Sequence, residues 1–179
     1  IIGGVDDESL KAMKYLVDHE GISSFKLFMA YPGVFYSDDG QVLRAMQTAA
    51  ECGAMIMMHA ENGIAIDVLV AQALARGETD PMYHSLTRPA EMESEATHRA
   101  IQLAKVAGNV PLYIVHMSAS EALEEVAHLA QGLEPCTHQA RPVVKRDQRA
   151  TLFVFEPKQT GSGAHHGGHP PFRKRLPAA

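Results

Sequence analysis

The stretch SSFKLFMAYPG, residues 23–33, combines an apolar run, one lysine and a closing turn. The apolar residues favour a β-strand over about 23–30, and Tyr-Pro-Gly at 31–33 is typical of a turn. Lys26 is the exception within the strand. Because an unpaired buried ammonium is very costly, Lys26 must reach water, find a partner or be neutralised.

Helices and further strands alternate along the rest of the chain. Apolar runs predict two more strands at 54–58 and 110–115. Capping residues, helical spacing and terminal glycines predict helices over about 6–19, 37–52, 64–77, 90–107 and 118–131. The order α-β-α-β-α-α-β-α predicts an α/β fold with a parallel sheet, either doubly wound or part of a (β/α)8 barrel. Three strands are too few to close a barrel.

The spacing of apolar residues also predicts which helix positions face the core. The inward positions are predicted to be Leu10, Met13, Leu16 and Val17 in the first helix, Val42, Leu43, Met46, Ala49 and Ala50 in the second, and Leu123, Val126 and Leu129 in the last.

Composition and charge divide the chain into two parts. The formal net charge of −5 gives no general reason to expect a nucleic-acid partner, and no apolar run has the length of a membrane span. Residues 1–132 hold 8 Lys and Arg against 18 Asp and Glu, whereas residues 133–179 hold 8 against 3. We therefore predict one domain over 1–132 and a basic Pro/Gly/His-rich tail over 133–179, disordered or out of frame. Two cysteines make no disulfide framework, and a cytoplasmic location is the default expectation.

Two predicted strands end in histidine. AMIMM runs into His59, and PLYIV runs into His116. Functional groups gather at the carboxyl ends of parallel strands, so the two imidazoles could converge on Zn²⁺ or a similar ion. A strand-end histidine is more often structural than a ligand. From the residues alone, a metal site and a structural pair are about equally supported, and Lys26 tips the balance modestly toward a site.

Three segments resemble one enzyme family. SFKLFMAYPG, MMHAENG and LYIVHMSASEAL, in this order and spacing, are similar to the dihydropyrimidinase and D-hydantoinase family of cyclic amidohydrolases. The loop GETDPMYHSLTRPAEMESEATHRAIQLAKVAG is typical of the same family, and the likeness covers roughly residues 6–130. The resemblance implies a (β/α)8 barrel with two metal ions, usually Zn²⁺, in a homotetramer. It also implies hydrolytic opening of a cyclic amide such as dihydrouracil or a 5-substituted hydantoin.

The resemblance further implies the site residues. In the family the residue matching Lys26 is carboxylated, and its carbamate bridges both metals. His59 and His116 would bind one of the two ions, and Tyr31 would donate a hydrogen bond to the oxyanion formed at the ring carbonyl. Without the family, Tyr31 is better interpreted as a turn residue.

The chain departs from the family pattern in two places. Members carry a His-x-His pair and a late Asp that complete the metal centre, and this sequence has no His-x-His pair and only Asp147 after residue 80. With Lys26, His59 and His116 it supplies half of the six usual ligands, so we expect at most a partial zinc site. The first residue is not Met. We therefore interpret the chain as an internal fragment of such an enzyme. The alternatives are a non-catalytic scaffold like the collapsin-response-mediator proteins and a non-functional remnant.

Other polar residues have structural interpretations. Glu61 and Asn62 are interpreted as caps of the 64–77 helix, and His84 and His98 as solvent-facing. Met55, Met57 and Met58 are interpreted as packing residues, and the histidines of the tail as incidental composition.

Overall fold

The computed structural model describes residues 1–131, so the predicted tail at 133–179 lies outside the described residues. Its elements are α1 (Asp7–Glu20), β1 (Ser24–Phe28), α2 (Asp39–Cys52), β2 (Met55–His59), α3 (Gly63–Ala75), α4 (Met82–Leu86), α5 (Ala90–Val106), β3 (Leu112–Ile114) and α6 (Ser120–Gln131). The predicted order is confirmed except for α4, which lies in a segment that we interpreted as a loop.

The three strands form one parallel sheet in the order β1-β2-β3. Phe28 pairs with His59 in the β1–β2 register, and Met58 pairs with Ile114 in the β2–β3 register. An α/β fold with a small parallel sheet is therefore confirmed. The register places the ends of β2 and β3 side by side, which is what brings the two strand-end histidines together.

The two faces of the sheet have different surroundings. One face packs into the core beneath the helices and is fully or almost fully buried, with Phe25, Leu27, Ile56, Met58, Leu112 and Ile114. The alternate positions Lys26, Met57 and Tyr113 are only half-buried. Because successive side chains of a strand point to opposite faces, these residues share the second face of the sheet. Lys26 thus lies on the more open face and not in the helix-covered core.

Capping residues fix where the first two αβ units begin and end. Asp6 and Ser9 form a reciprocal capping box at the start of α1, and Asp38 and Gln41 form one at the start of α2. Gly21 and Gly53 close the same helices in the left-handed conformation, with φ of 68° and 72°. Each glycine turns the chain directly into the following strand.

Replacing Asp38 by alanine is expected to lower the free energy of unfolding by about 1 kcal/mol, because the Gln41 backbone N–H loses its acceptor at 2.8 Å. Urea denaturation followed by circular dichroism measures this loss. Asp38→Asn retains an oxygen acceptor and is the matched control. Equal stability of the alanine and asparagine variants would contradict the capping role.

Two of the predicted inward positions are wrong. Ala50 is exposed, because it lies about 100° further around α2 than the buried Ala49. Leu123 is 39% exposed, and the neighbouring Ala122 is the fully buried residue. Val126 is buried as predicted, whereas the side chain of Leu129 lies outside the described residues.

No helix within residues 1–131 has both the length and the apolar character needed to cross a membrane.

Candidate metal site at the strand ends

The ends of β2 and β3 bring His59 and His116 into direct contact. The Val115 N–H donates to the Met58 carbonyl at 3.0 Å and extends the pairing of the two strands toward the histidines. The Nδ1 atom of His59 lies 2.9 Å from the Nε2 atom of His116, and the rings meet edge to face. His59 itself is buried. The predicted convergence of the two imidazoles is confirmed for the geometry, and their role as ligands stays a prediction.

Two of the predicted site residues have an unusual backbone conformation. Tyr31 has a φ of 63° and His116 has a φ of 40°, so both lie in the left-handed region, which costs a non-glycine residue energy. The Tyr31 carbonyl compensates by accepting the N–H groups of Val34, Phe35 and Tyr36 at 3.1 to 3.2 Å. The Tyr31 ring centroid lies 5.1 Å from that of His59. Tyr31 therefore lies in the turn that follows β1, as its neighbours Pro32 and Gly33 indicate, and its ring also flanks His59.

Glu61 contacts His59 and is a site residue that we interpreted as a helix cap. Its Oε2 atom lies 2.7 Å from the Nε2 atom of His59. Asn62 alone caps α3, because its side-chain oxygen accepts the Ala65 N–H at 3.1 Å. The cap interpretation is thus confirmed for Asn62 and wrong for Glu61. A carboxylate two residues after a strand-end histidine was the signal available in the sequence.

The same contacts shift two pKa values. The hydrogen bond from His59 lowers the pKa of Glu61 below its usual range, against the opposing effect of burial. Burial lowers the pKa of His116. Both shifts favour an ionised Glu61 and a neutral His116 at neutral pH. A neutral imidazole is the form that binds a metal ion.

Lys26 is half-buried, and its ammonium lies over an aromatic ring. The Nζ atom lies 4.8 Å from the centroid of the Phe28 ring, which itself stacks on His59 at 5.5 Å. Within residues 1–131, Lys26 forms no ion pair with a carboxylate. The cation–π contact and partial access to water together explain how a lysine is tolerated in this strand. Lys26 precedes Phe28 by two residues on the same sheet face as His59.

A cavity of about 160 Å³ opens above the histidine pair. Its walls include Tyr31, His59, Glu61, His84, Arg88 and His116. His84 is exposed as predicted, and Arg88 donates to the His84 carbonyl at 2.9 Å. The segment with α4 thus supplies two polar groups, His84 and Arg88, that sequence patterns did not place at the site.

The loop after His116 is held by a residue of another helix. Glu93 of α5 accepts the Ser118 N–H at 2.7 Å, the Ser118 hydroxyl at 2.8 Å and the Ala119 N–H at 3.1 Å. Glu93 therefore satisfies backbone groups in the loop ahead of α6. Nothing in the local sequence indicates a contact between residues 25 positions apart.

The histidine pair fits two ligands of a tetrahedral ion. Nitrogens bound to one Zn²⁺ at about 2.0–2.1 Å stand about 3.3 Å apart, so the observed 2.9 Å between His59 and His116 needs only a small opening. Within residues 1–131, no group of three or more His, Cys, Asp or Glu side chains is arranged to hold a metal. Two imidazoles are fewer than the three or four protein ligands of a typical zinc site.

Comparisons with known proteins agree on one family. No protein-family model matches the chain. A D-hydantoinase from Streptomyces coelicolor is 69% identical over 126 residues, which are 70% of this chain and 27% of that protein. A D-hydantoinase from Geobacillus stearothermophilus is 42% identical over 176 residues, which are 98% of this chain and 36% of that protein. The chain belongs to the D-hydantoinase family.

Solved structures of the D-hydantoinase family have the same fold over the described part of the chain. The D-hydantoinase from Bacillus sp. AR9 superposes with a TM-score of 0.70 at 44% identity, over 73% of this chain and 28% of that structure. The dihydropyrimidinase from Brevibacillus agri NCHU1002 gives a TM-score of 0.70 at 43% identity, with the same coverage. The chain therefore spans between 27% and 36% of the length of these relatives.

The D-hydantoinase alignments differ in how far they extend. The Geobacillus alignment covers nearly the whole chain, whereas the Streptomyces alignment covers 126 residues. The predicted boundary at residue 132 thus stays a prediction.

Proposed function

We propose that the chain is the part of a metal-dependent cyclic amidohydrolase that supplies Lys26, His59, His116 and Tyr31 to the active site. The observation that carries the proposal is the 2.9 Å approach of His59 Nδ1 to His116 Nε2 at the ends of neighbouring parallel strands. The names of the relatives support hydrolysis of a hydantoin or a dihydropyrimidine as the reaction. Zinc is the expected ion, because imidazole ligands suit it.

The open face of the sheet supports a (β/α)8 barrel as the complete fold. Lys26, Met57 and Tyr113 are half-buried on the face opposite the helix-covered core. In a closed barrel this face would line the interior, which side chains from the remaining strands fill. We propose that further strands provide the other ligands. The homotetramer and the cytoplasmic location remain predictions.

The site residues have separate roles in the proposed reaction. His59 and His116 would hold one ion, and Lys26 would add an anionic ligand when its neutral amine takes up CO₂ and releases a proton. Bound divalent cations polarise a carbonyl and lower the pKa of water to about 7. The Tyr31 hydroxyl would donate to the oxygen of the ring carbonyl as negative charge develops there, and 42% exposure leaves that hydroxyl access to a ligand in the cavity.

A chimaera tests this function in a complete fold. The 126 matched residues of this chain would replace their counterparts in the Streptomyces coelicolor D-hydantoinase, which is 69% identical over them. We expect the chimaera to open a 5-substituted hydantoin within about tenfold of the parent kcat/KM, measured by loss of ring absorbance. A matched chimaera with Lys26→Ala is expected to be inactive.

Two results would contradict the proposal. The first is a folded chimaera with no hydrolysis and no bound zinc, which would favour the scaffold or remnant alternative. The second is full activity in the Lys26→Ala chimaera, because it would remove the role assigned to the lysine.

A further inference from the structure

We propose that Glu61 is a positioning residue that fixes the tautomer of His59 and so presents the Nδ1 atom of His59 as the metal-binding nitrogen. The inference deepens the proposed function and rests on it for the identity of the ligand. Its structural basis is the line of three side chains in which Glu61 Oε2 lies 2.7 Å from His59 Nε2, and His59 Nδ1 lies 2.9 Å from His116 Nε2.

The direction of the hydrogen bonds follows from the chemistry of Glu61. A carboxylate that is ionised at neutral pH only accepts hydrogen bonds, so His59 must donate to it from Nε2. In a neutral imidazole the other nitrogen then carries a lone pair. The Nδ1 atom of His59 is therefore the acceptor of the pair, and His116 Nε2 donates to it.

This tautomer leaves the correct nitrogen of His59 for a metal ion. The lone pair of Nδ1 points toward His116, and the two rings would share the ion once the His116 proton has moved from Nε2 to Nδ1 of the same ring. The opposite tautomer would place a proton on Nδ1 and block coordination. A carboxylate that holds the second nitrogen of a ligating histidine also fixes the ring orientation and raises its basicity.

The surroundings of Glu61 make it suited to this role. Its side chain is only 20% exposed and that of His59 is 8% exposed, so water competes weakly for their hydrogen bond. Asn62 caps α3 and Gly63 donates to the Met29 carbonyl at 3.0 Å, which anchors the backbone directly after Glu61. The carboxylate is thus held by the start of a helix and by the segment that follows β1.

The test uses the full 179-residue chain with ¹⁵N-labelled histidine. Two-bond ¹H–¹⁵N spectra identify the protonated nitrogen of each neutral ring, and a His59→Gln variant assigns the His59 signals. In the metal-free chain we expect His59 as the Nε2–H tautomer. Glu61→Ala is expected to give a mixture of tautomers, whereas Glu61→Gln retains an acceptor oxygen and restores most of the Nε2–H form.

Cobalt(II) alone is the probe for the second measurement. Glu61→Ala is expected to weaken Co²⁺ binding by about 10- to 100-fold, and Glu61→Gln by less. Glu124→Ala removes an exposed carboxylate from α6 and is the control for the change in net charge. Circular dichroism verifies that each variant keeps its helices.

The outcomes separate the inference from the proposed function. Two results would overturn the positioning role of Glu61. One is an Nδ1–H tautomer of His59 in the unmodified chain. The other is a Glu61→Ala variant that has the same His59 tautomer and the same Co²⁺ affinity as the Glu124→Ala control. Absence of Co²⁺ binding in the unmodified chain would overturn the metal-binding part of the inference, whereas the zinc content and activity of the chimaera test the proposed function separately. The tautomer of His59 would still show whether Glu61 fixes the position of the proton on that ring.

Discussion

Replacing Gly63 by alanine is expected to lower the free energy of unfolding by about 3 kcal/mol. A Cβ atom at this position would lie 2.6 Å from the Cα of Ala30, 3.1 Å from the Met29 carbonyl oxygen and 3.2 Å from the Ala30 carbonyl carbon. All three are backbone atoms, so no side-chain rotation relieves the contact. The start of α3 and the two residues that follow β1 would have to move apart.

The movement would also reach the candidate site. Gly63 donates its N–H to the Met29 carbonyl at 3.0 Å, and this bond would weaken as the two segments separate. Glu61 lies two residues before Gly63, and its contact with His59 depends on the same backbone. Gly63→Ala is therefore expected to lower both stability and the occupancy of the Glu61–His59 hydrogen bond.

Urea denaturation of Gly63→Ala and Gly4→Ala measures the effect. Gly4 is the matched control, because a Cβ added there meets no atom within 4 Å and its backbone is not left-handed. We expect Gly4→Ala to lie within about 0.5 kcal/mol of the unmodified chain. A Gly63→Ala variant as stable as Gly4→Ala would show that the two backbone segments do not pack as described.

The fold was predictable where it depends on local patterns. Apolar runs, capping residues and terminal glycines predict β1, β2 and their helices, because those signals lie within each element. The helix α4 was not predicted, because five residues are too few to show a helical periodicity and no side chain caps its N-terminus.

The candidate site was predictable only in part. His59 and His116 follow strands, so the rule for parallel strand ends brings them together from sequence alone. The roles of Glu61 and Glu93 depend on where side chains point after the chain turns, and no pattern specifies that. The surroundings of Lys26 were not predictable either. Its apolar neighbours predict a buried strand, but the sheet face that Lys26 occupies is half-buried.

Replacing His116 by alanine in the chimaera is expected to lower kcat/KM by at least about 100-fold. Removing a residue that merely supports a ligand typically costs 10- to 100-fold, and removing the ligand itself should cost no less. His116 is also the partner that places a second nitrogen 2.9 Å from His59 Nδ1, so its loss leaves one imidazole to hold the ion. We expect less bound zinc in the same variant, measured by elemental analysis.

The control for His116 is a histidine outside the site. His98 is exposed on α5 and pairs with Glu125 at 2.7 Å, so His98→Ala removes an imidazole without altering the strand ends. We expect His98→Ala to keep its zinc and to remain within about twofold of the chimaera in kcat/KM. A His116→Ala variant with the zinc content and activity of His98→Ala would refute the assignment of His116 as a ligand.

A second control separates the imidazole from the backbone. Because His116 is in a left-handed conformation, His116→Gly relieves the backbone strain while still removing the imidazole. Equal loss of zinc in the alanine and glycine variants would therefore assign the effect to the missing nitrogen.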